Sequence, residues 1–565
     1  MLRVFLLFFS ANFLSAQASL IDYPHPFHSA YTEKGIVVTQ NYLSSDIGLE
    51  ILNKGGNAVD AAIAVGFSLT ATLPRAGNIG GGGFMQVYIE EDKTILTIDF
   101  RSMAPKLATR EFYQDAIEDN DNVTRKGYKA IAVPGTVAGL FRAHELYGTL
   151  PMAQLIQPTI ELLEAGVPVT QDLYFAINVG RYIKDDPESN RIFKEKLELG
   201  GVLKNPDLIN TLKVLQIDGR DGFYKGKIAQ LIEDQMILNG GLIRKSDLES
   251  YTVQLYAPIG TKYRDKRVYA MGPPSGGGIV ILTALNILET FQLSHLEANT
   301  AQAYHLIAEA MKFGHQNRAK FVGDRNFSDV PLEMLLSKDT AREKAKKIKL
   351  REKLSPKLID RIGSDINEKY QESKDTTHYS IMDKFGNAVA VTYTLGYSFG
   401  SGVTIPGTGI LTNNQMNNFA HSYGLIDSYY RSSSPANKLE PLKRPMSTMS
   451  PVMVFNNKYE LELITGSPGG SQIPGSILQV LINNIDFGLD IGEATMSPRI
   501  HQDSQSLTLY YEKTISQDSL NILESYGHNL ELSDTMGSTQ SINIKDGVKY
   551  GFSDLRRPNA KVSVQ

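Results

Sequence analysis

Thr376-Thr377-His378-Tyr379-Ser380 follows a polar run (367–375) and opens two alternating segments, 378–382 and 388–394, joined by Asp383-Lys384-Phe385-Gly386-Asn387. β-Branched and aromatic residues alternating on either side of a Gly- and Asn-containing turn predict a β-hairpin. Any fold of this chain must therefore put a threonine at the leading edge of that hairpin. A threonine hydroxyl is a poor nucleophile unless a base stands beside it, and one available base is the residue's own α-amine, with a pKa of about 8 when free. Inside a chain Thr376 has no free amine. Cleavage of the Asp375-Thr376 bond would create one, making nucleophile and base the same residue. Taken alone the segment also reads as an ordinary strand start.

The surrounding pattern is mixed. Residues 44–54 predict a capped helix ending at Gly55-Gly56, and 58–73 an alanine-rich helix halted by Pro74. The second carries Asp60 and is short for a membrane span, which points to a buried core helix. Further amphipathic helices are expected over 152–165 and 300–315, and strands over 86–89, 94–100 and 461–465. Strand runs flanked by helix runs indicate an α+β layered fold. The lysine-rich stretch 341–357 and the polar stretch 363–375 are linker candidates, the second just ahead of Thr376.

With 565 residues, 42% of them hydrophobic, the chain can bury a substantial core. A net charge of −4, mixed in sign along the chain, gives no nucleic-acid footprint. At the N-terminus Arg3, an apolar run (4–14) and Ala16-Gln17-Ala18 fit a secretory signal cleaved after Ala18, leaving no stable membrane anchor. Cysteine is absent, which excludes disulfides, thiol catalysis and thiolate metal sites. A cysteine-free exported protein suits a bacterial periplasm or release outside the cell. Ten histidines contain no H-E-x-x-H, and no two are close in sequence except His25 and His28. The Gly80–Gly83 run lacks G-x-G-x-x-G spacing and a P-loop lysine, so it does not read as a nucleotide site. Neither a metal nor another cofactor is expected.

Eight motifs follow in order: LEILNKGGNAVDAAIAVGFSL (49–69), GNIGGGGFM (77–85), DFRSMAP (99–105), VPGTVAGL (133–140), PPSGGG (273–278), GILTNNQM (409–416), KRPMSTMSP (443–451) and GSPGGS (466–471). Together with TTHYS they resemble the γ-glutamyltransferase (γ-glutamyltranspeptidase) family of N-terminal-nucleophile hydrolases, which cleave themselves ahead of this threonine. The resemblance implies a four-layer αββα sandwich formed jointly by two fragments of one precursor: a signal peptide at 1–18, a large subunit at 19–375, and a small subunit at 376–565 that starts with the nucleophile. It implies transfer of a γ-glutamyl group from a small donor such as glutathione to Thr376, and then to water or to an amino-acid or peptide acceptor. Carried over residue by residue, it makes Gly469 and Gly470 the oxyanion-hole glycines and Thr394 the hydroxyl that orients Thr376. Arg101, Ser447 and Thr448 would take the substrate α-carboxylate, where a guanidinium binds bidentately. Gln415 falls on the α-amine side.

Two positions depart from the family pattern. Asn418 stands where the family usually has an aspartate that accepts from the substrate ammonium, and Gly396 stands where bacterial members often have asparagine. A neutral amide weakens the charge complement for an amine. An alternative is therefore a related acylase with relaxed α-amine recognition, acting on glutaryl amides or poly-γ-glutamate. The stretch 423–442, with Tyr429 and Tyr430, coincides with the family's lid loop.

Overall fold

The predicted hairpin forms: Thr377–Met382 pairs antiparallel with Ala388–Thr394, with Thr377 opposite Tyr393. In its turn the Asp383 carboxylate accepts from the backbone N–H groups of Phe385 and Asn387 at 2.8 and 3.0 Å, and Gly386 adopts φ +96°, a left-handed conformation open to glycine. The computed structural model describes residues 27–120, 122–180, 182–355, 375–420, 434–504 and 506–565. The proposed signal peptide lies outside them, as do residues 363–374 of the linker and 423–433 of the lid loop.

The hairpin is the centre of a seven-stranded sheet ordered Lys561–Val564, Ile36–Thr39, Thr377–Met382, Ala388–Thr394, Gly82–Ile89, Thr94–Phe100, Gln254–Tyr256. A second seven-stranded sheet runs Ala30–Thr32, Val548–Ser553, Gln540–Lys545, Leu461–Thr465, Val452–Phe455, Lys266–Ala270, Ile259–Tyr263. Strand alternation divides the side chains between two cores. Val38, Ala388 and Ala390 share a buried cluster with Met453, Phe455 and Ile464 between the sheets. Val37, Val389 and Val391 face outward onto helix Ala58–Thr72. Behind the second sheet lie Gly277–Leu288, Ala301–Phe321 and Ile473–Ile485. The result is the expected αββα sandwich with antiparallel sheets.

Helix Ala58–Thr72 shows how local sequence serves this architecture. Asn57 accepts from the N–H groups of Val59 and Asp60 at 2.8 and 2.9 Å, and Asp60 accepts from the Asn57 N–H at 3.0 Å, a closed capping box. Every residue of the helix is buried, because the hairpin covers one side and helices Tyr42–Asn53, Thr136–Tyr147 and Met152–Ala165 cover the others. A helix apolar all round is a core helix.

Several expected boundaries move. The first helix runs Tyr42–Asn53 with Asn41 as its cap, two residues before Ser44. Thr300 caps Ala301–Phe321, which continues past His315 through polar residues that are themselves buried. The strand expected from Gln86 begins at Gly82, where glycines pair with Tyr393 and Thr394. The lysine-rich linker candidate is in part a helix, Lys338–Ala345, anchored by buried Ala341 and Ala345. Charge on its exposed face hides that apolar stripe from a composition argument.

Candidate active site

Thr376 lies immediately ahead of the hairpin strand and is 4% exposed. The peptide bond before it is held from two sides. Thr394, at the end of the partner strand, donates its hydroxyl to the carbonyl oxygen of Asp375 at 2.8 Å and accepts from the Gly396 N–H at 2.9 Å. The Asp375 carboxylate meets Arg75 Nη1 at 2.7 Å. In this unprocessed chain Thr394 therefore contacts the carbonyl across the bond from Thr376.

The glycine run after Arg75 lets backbones approach closely here. A Cβ on Gly81 would stand 2.3 Å from the Thr394 carbonyl oxygen, and one on Gly80 2.1 Å from that of Leu411. The hairpin end is thereby brought against the turn Gln415–Asn418. Gln415 Nε2 donates to the Thr394 carbonyl at 2.7 Å, while its Oε1 is buried with no hydrogen-bond partner among the described residues. Asn413 clamps the same corner, donating to the carbonyls of Gly80 and Ala132, both at 2.8 Å, and accepting from the Ala132 N–H at 3.1 Å. The space beside Gly396, at φ +106°, is occupied by Asn414: a Cβ there would lie 2.2 Å from its Oδ1. Asn414 Oδ1 already accepts from the Tyr397 N–H at 3.0 Å.

Arg101 is 1% exposed. Its Nη2 donates to Asn418 Oδ1 at 2.6 Å, and its Nε to the Pro445 carbonyl at 3.2 Å. The two residues expected at opposite ends of a substrate head group are thus in direct contact. Beneath Arg101, Asp99 accepts from the Arg101 N–H at 2.8 Å and pairs with Arg444 at 2.9 Å. Burial pushes the Asp99 carboxyl up, against the opposing pull of Arg444. Ser447 and Thr448 lie in the same loop as Pro445. Ser447 Oγ accepts from the Met449 N–H at 3.1 Å, and Thr448 donates its hydroxyl to the Gly470 carbonyl at 2.7 Å. That bond ties the loop to Gly469-Gly470, whose φ values of +127° and +57° are both left-handed conformations that favour glycine. A side chain at either position would strain the turn that leads into helix Ile473–Ile485.

His378, two residues past the nucleophile candidate, is no base for it. Its Nδ1 lies 2.8 Å from Thr392 Oγ1 and its Nε2 3.1 Å from Ser380 Oγ. Burial depresses its pKa to about 3, which keeps it neutral at ordinary pH.

Sequence spacing missed several neighbours. Asp99, Asn413, Asn414 and Arg444 fall inside the quoted motifs and could have been found there, whereas Arg75 and Asp375 are 300 positions apart. The fold also assembles His305, Glu309 and His528, the one metal-type trio among the described residues. Lys312 Nζ, 2.7 Å from Glu309 Oε1, already supplies the cation, and His305 binds His528 at 2.8 Å and the Lys349 carbonyl at 2.7 Å. The trio is a hydrogen-bonded clamp on the segment around Lys349.

The first test concerns Thr394. Thr394→Val should slow appearance of the two fragments by about 10- to 100-fold, the worth of one hydrogen bond of about 1.5–3 kcal/mol that strengthens as the Asp375 oxygen gains charge. Fragment formation followed by denaturing gel decides it, and an unchanged rate removes Thr394 from the cleavage machinery.

Comparison with known proteins gives a consistent picture. The family model described as Gamma-glutamyltranspeptidase matches residues 44–564. The glutathione hydrolase proenzyme of Escherichia coli (strain K12) is 41% identical over 540 residues, covering 94% of this chain and 92% of that protein. The acylase ACY 1 proenzyme of Pseudomonas sp. (strain SE83) is 34% identical over 546 residues, covering 94% of each. Among solved structures, cephalosporin acylase from Bacillus halodurans superimposes with a TM-score of 0.82 at 28% identity, over 96% of this chain and 98% of that one.

Proposed function

Because the chain belongs to the gamma-glutamyltranspeptidase family, we propose that it cleaves itself before Thr376 and then uses that residue as an N-terminal nucleophile on γ-glutamyl compounds such as glutathione. It is a γ-glutamyltransferase and glutathione hydrolase by family. The observation that carries the self-cleavage reading is the Thr394 hydroxyl on the Asp375 carbonyl at 2.8 Å, a donor already placed where negative charge would develop. Thr376 Oγ attacks that carbonyl carbon, the C–N bond breaks, and the hydroxyl proton ends on the departing nitrogen. Water then hydrolyses the ester, leaving a carboxyl on Asp375 and a hydroxyl and free α-amine on Thr376.

In turnover the freed amine takes the Thr376 hydroxyl proton during attack on the γ-carbonyl, the Gly469 and Gly470 N–H groups receive the oxyanion, and the γ C–N bond breaks as that proton passes to the departing amine, leaving the γ-glutamyl group as an ester on Thr376. Arg101 binds the α-carboxylate with Ser447 and Thr448, and Gln415 Oε1, without a partner among the described residues, supports an α-ammonium contact. Water, an amino acid or a peptide then accepts the acyl group. The processed protein is a heterodimer of residues 19–375 and 376–565. Interleaved strand pairs support this, since Ile36–Thr39 and Gly82–Ile89 flank the hairpin that follows Thr376. No helix of the described residues is long and apolar enough to cross a membrane, and the proposed signal at 1–18 would deliver the protein to a periplasm or the exterior. Intact mass and N-terminal sequencing of purified protein, with a γ-glutamyl anilide assay, test the whole reading: a single chain that turns the anilide over would overturn it.

A second reading, acylase activity on donors lacking the α-amine, is favoured by Asn418. Its Oδ1 is engaged by Arg101 at 2.6 Å, and being neutral it leaves the guanidinium charge available to a carboxylate. Asn418→Asp should raise the preference for γ-glutamyl over glutaryl anilides about tenfold in kcat/KM, since a charge-assisted bond exceeds a neutral one by about 1 kcal/mol or more. An unchanged ratio removes Asn418 as the determinant.

A further inference from the structure

Asp375 supplies the carbonyl that self-cleavage attacks, and its side chain is not left to solvent. Arg75 Nη1 reaches its Oδ1 at 2.7 Å, and Nη2 reaches both oxygens of Asp172 at 3.3 Å. The Arg75, Asp172 and Asp375 side chains are 10%, 18% and 14% exposed, so the cluster is largely shielded from water and salt. Arg75 is itself anchored. It stands three residues beyond helix Ala58–Thr72, and its carbonyl accepts from the Phe399 N–H at 3.0 Å. Asp172 comes from the first turn of helix Gln171–Val179.

We propose that Arg75, braced by Asp172, is a positioning residue for self-cleavage: it grips the Asp375 side chain so that the carbonyl held by Thr394 presents one face to Thr376 Oγ. The proposal rests on the self-cleavage reading above. A peptide unit can rotate about the bonds on either side of it, and nucleophilic attack needs the carbonyl carbon within about 3–3.5 Å at a fixed approach. On the far side of the bond Thr377 is fixed by its ladder pairing with Tyr393. On the near side the Thr394 hydroxyl holds the Asp375 carbonyl oxygen at 2.8 Å. The Arg75 grip adds the second point. A guanidinium fits this task because its planar fork engages two carboxylates at once. After cleavage the same pair can part without loss to turnover, since Asp375 becomes the end of the large fragment.

The test is pulse-labelling of the full chain and timing of its conversion to two fragments. Arg75→Ala and Asp375→Ala should each slow conversion about 10- to 100-fold. The double variant should be no slower than the slower single, because both remove one contact. Arg75→Lys, which keeps the charge but not the fork between two carboxylates, should recover only part of the rate. A merely structural arginine gives neither that coupling nor that rescue. Conversion within threefold of the natural rate in Arg75→Ala, or single effects that multiply in the double, would overturn the proposal. Each variant is also melted in the Thr376→Ala background. If Arg75→Ala does not fold there, Asp375→Asn decides: a slowing of more than threefold supports the grip, and a smaller one overturns it. Fragments that form from Thr376→Ala itself would sink the self-cleavage reading separately.

Discussion

Thr376→Ala should accumulate as one chain beginning at Ser19, with turnover of γ-glutamyl anilide at background. The substitution removes the hydroxyl proposed to attack the Asp375 carbonyl, and it leaves the rest of the site in place. Thr394 still donates to that carbonyl at 2.8 Å and Arg75 still holds the Asp375 carboxylate at 2.7 Å. The fold should survive, because Thr376 precedes the first ladder pair, Thr377 with Tyr393, and contributes no sheet hydrogen bond of its own to that register. Loss of a nucleophile that is also its own base removes two catalytic functions together, so activity should fall by at least about 10⁴-fold. Intact mass separates the outcomes. Fragments at 19–375 and 376–565 in this variant would mean that another protease makes the cut.

The second large effect is expected at Arg101. Arg101→Lys retains the charge and should nonetheless raise KM for γ-glutamyl donors by about 10- to 100-fold, with kcat much less affected. The guanidinium is 1% exposed and already spends one nitrogen on Asn418 and its Nε on Pro445. A single ammonium cannot hold those two partners and also present a fork to a carboxylate, and each charge-assisted bond lost is worth about 1.5–3 kcal/mol. Fragment formation should be normal, which distinguishes lost substrate binding from a disturbed precursor. A natural KM for γ-glutamyl and glutaryl donors alike would make Arg101 a structural brace for the Pro445–Met446 turn.

The Asn418 contact links this prediction to specificity. With aspartate at 418 the buried pair would be ionic, and part of the guanidinium charge would be neutralised inside the protein. With asparagine the contact at 418 leaves the guanidinium charge unneutralised by that residue. Arg101 and Asn418 therefore act as one unit, and their substitutions should not be additive.

Local chemistry made much of the fold legible in the sequence. Alternation with an Asp- and Gly-containing turn fixed the hairpin, whose second strand Ala388–Thr394 and flanking strand Thr94–Phe100 have the expected bounds. Asn57 and Asp60 form a cap visible in their three-residue spacing, and Pro74 stops the helix soon after its last turn. Boundaries failed where tertiary burial overrode pattern: the polar end of Ala301–Phe321 and the short helix Lys338–Ala345 are helical because neighbours cover them.

The ordered motifs identified the backbone turns and the residue types of the site, since glycine runs, a strand-leading threonine and an arginine after a strand each carry a local conformational or chemical requirement. Which side chains touch was decided only in three dimensions. Nothing local relates Arg75 to Asp375, 300 positions away, or Arg101 to Asn418, 317 away. The glycines at 80 and 81 let the Leu411 and Thr394 backbones approach closely at the end of the hairpin, and a hydrogen bond between distant residues depends on such tertiary approach rather than on any periodicity in the chain.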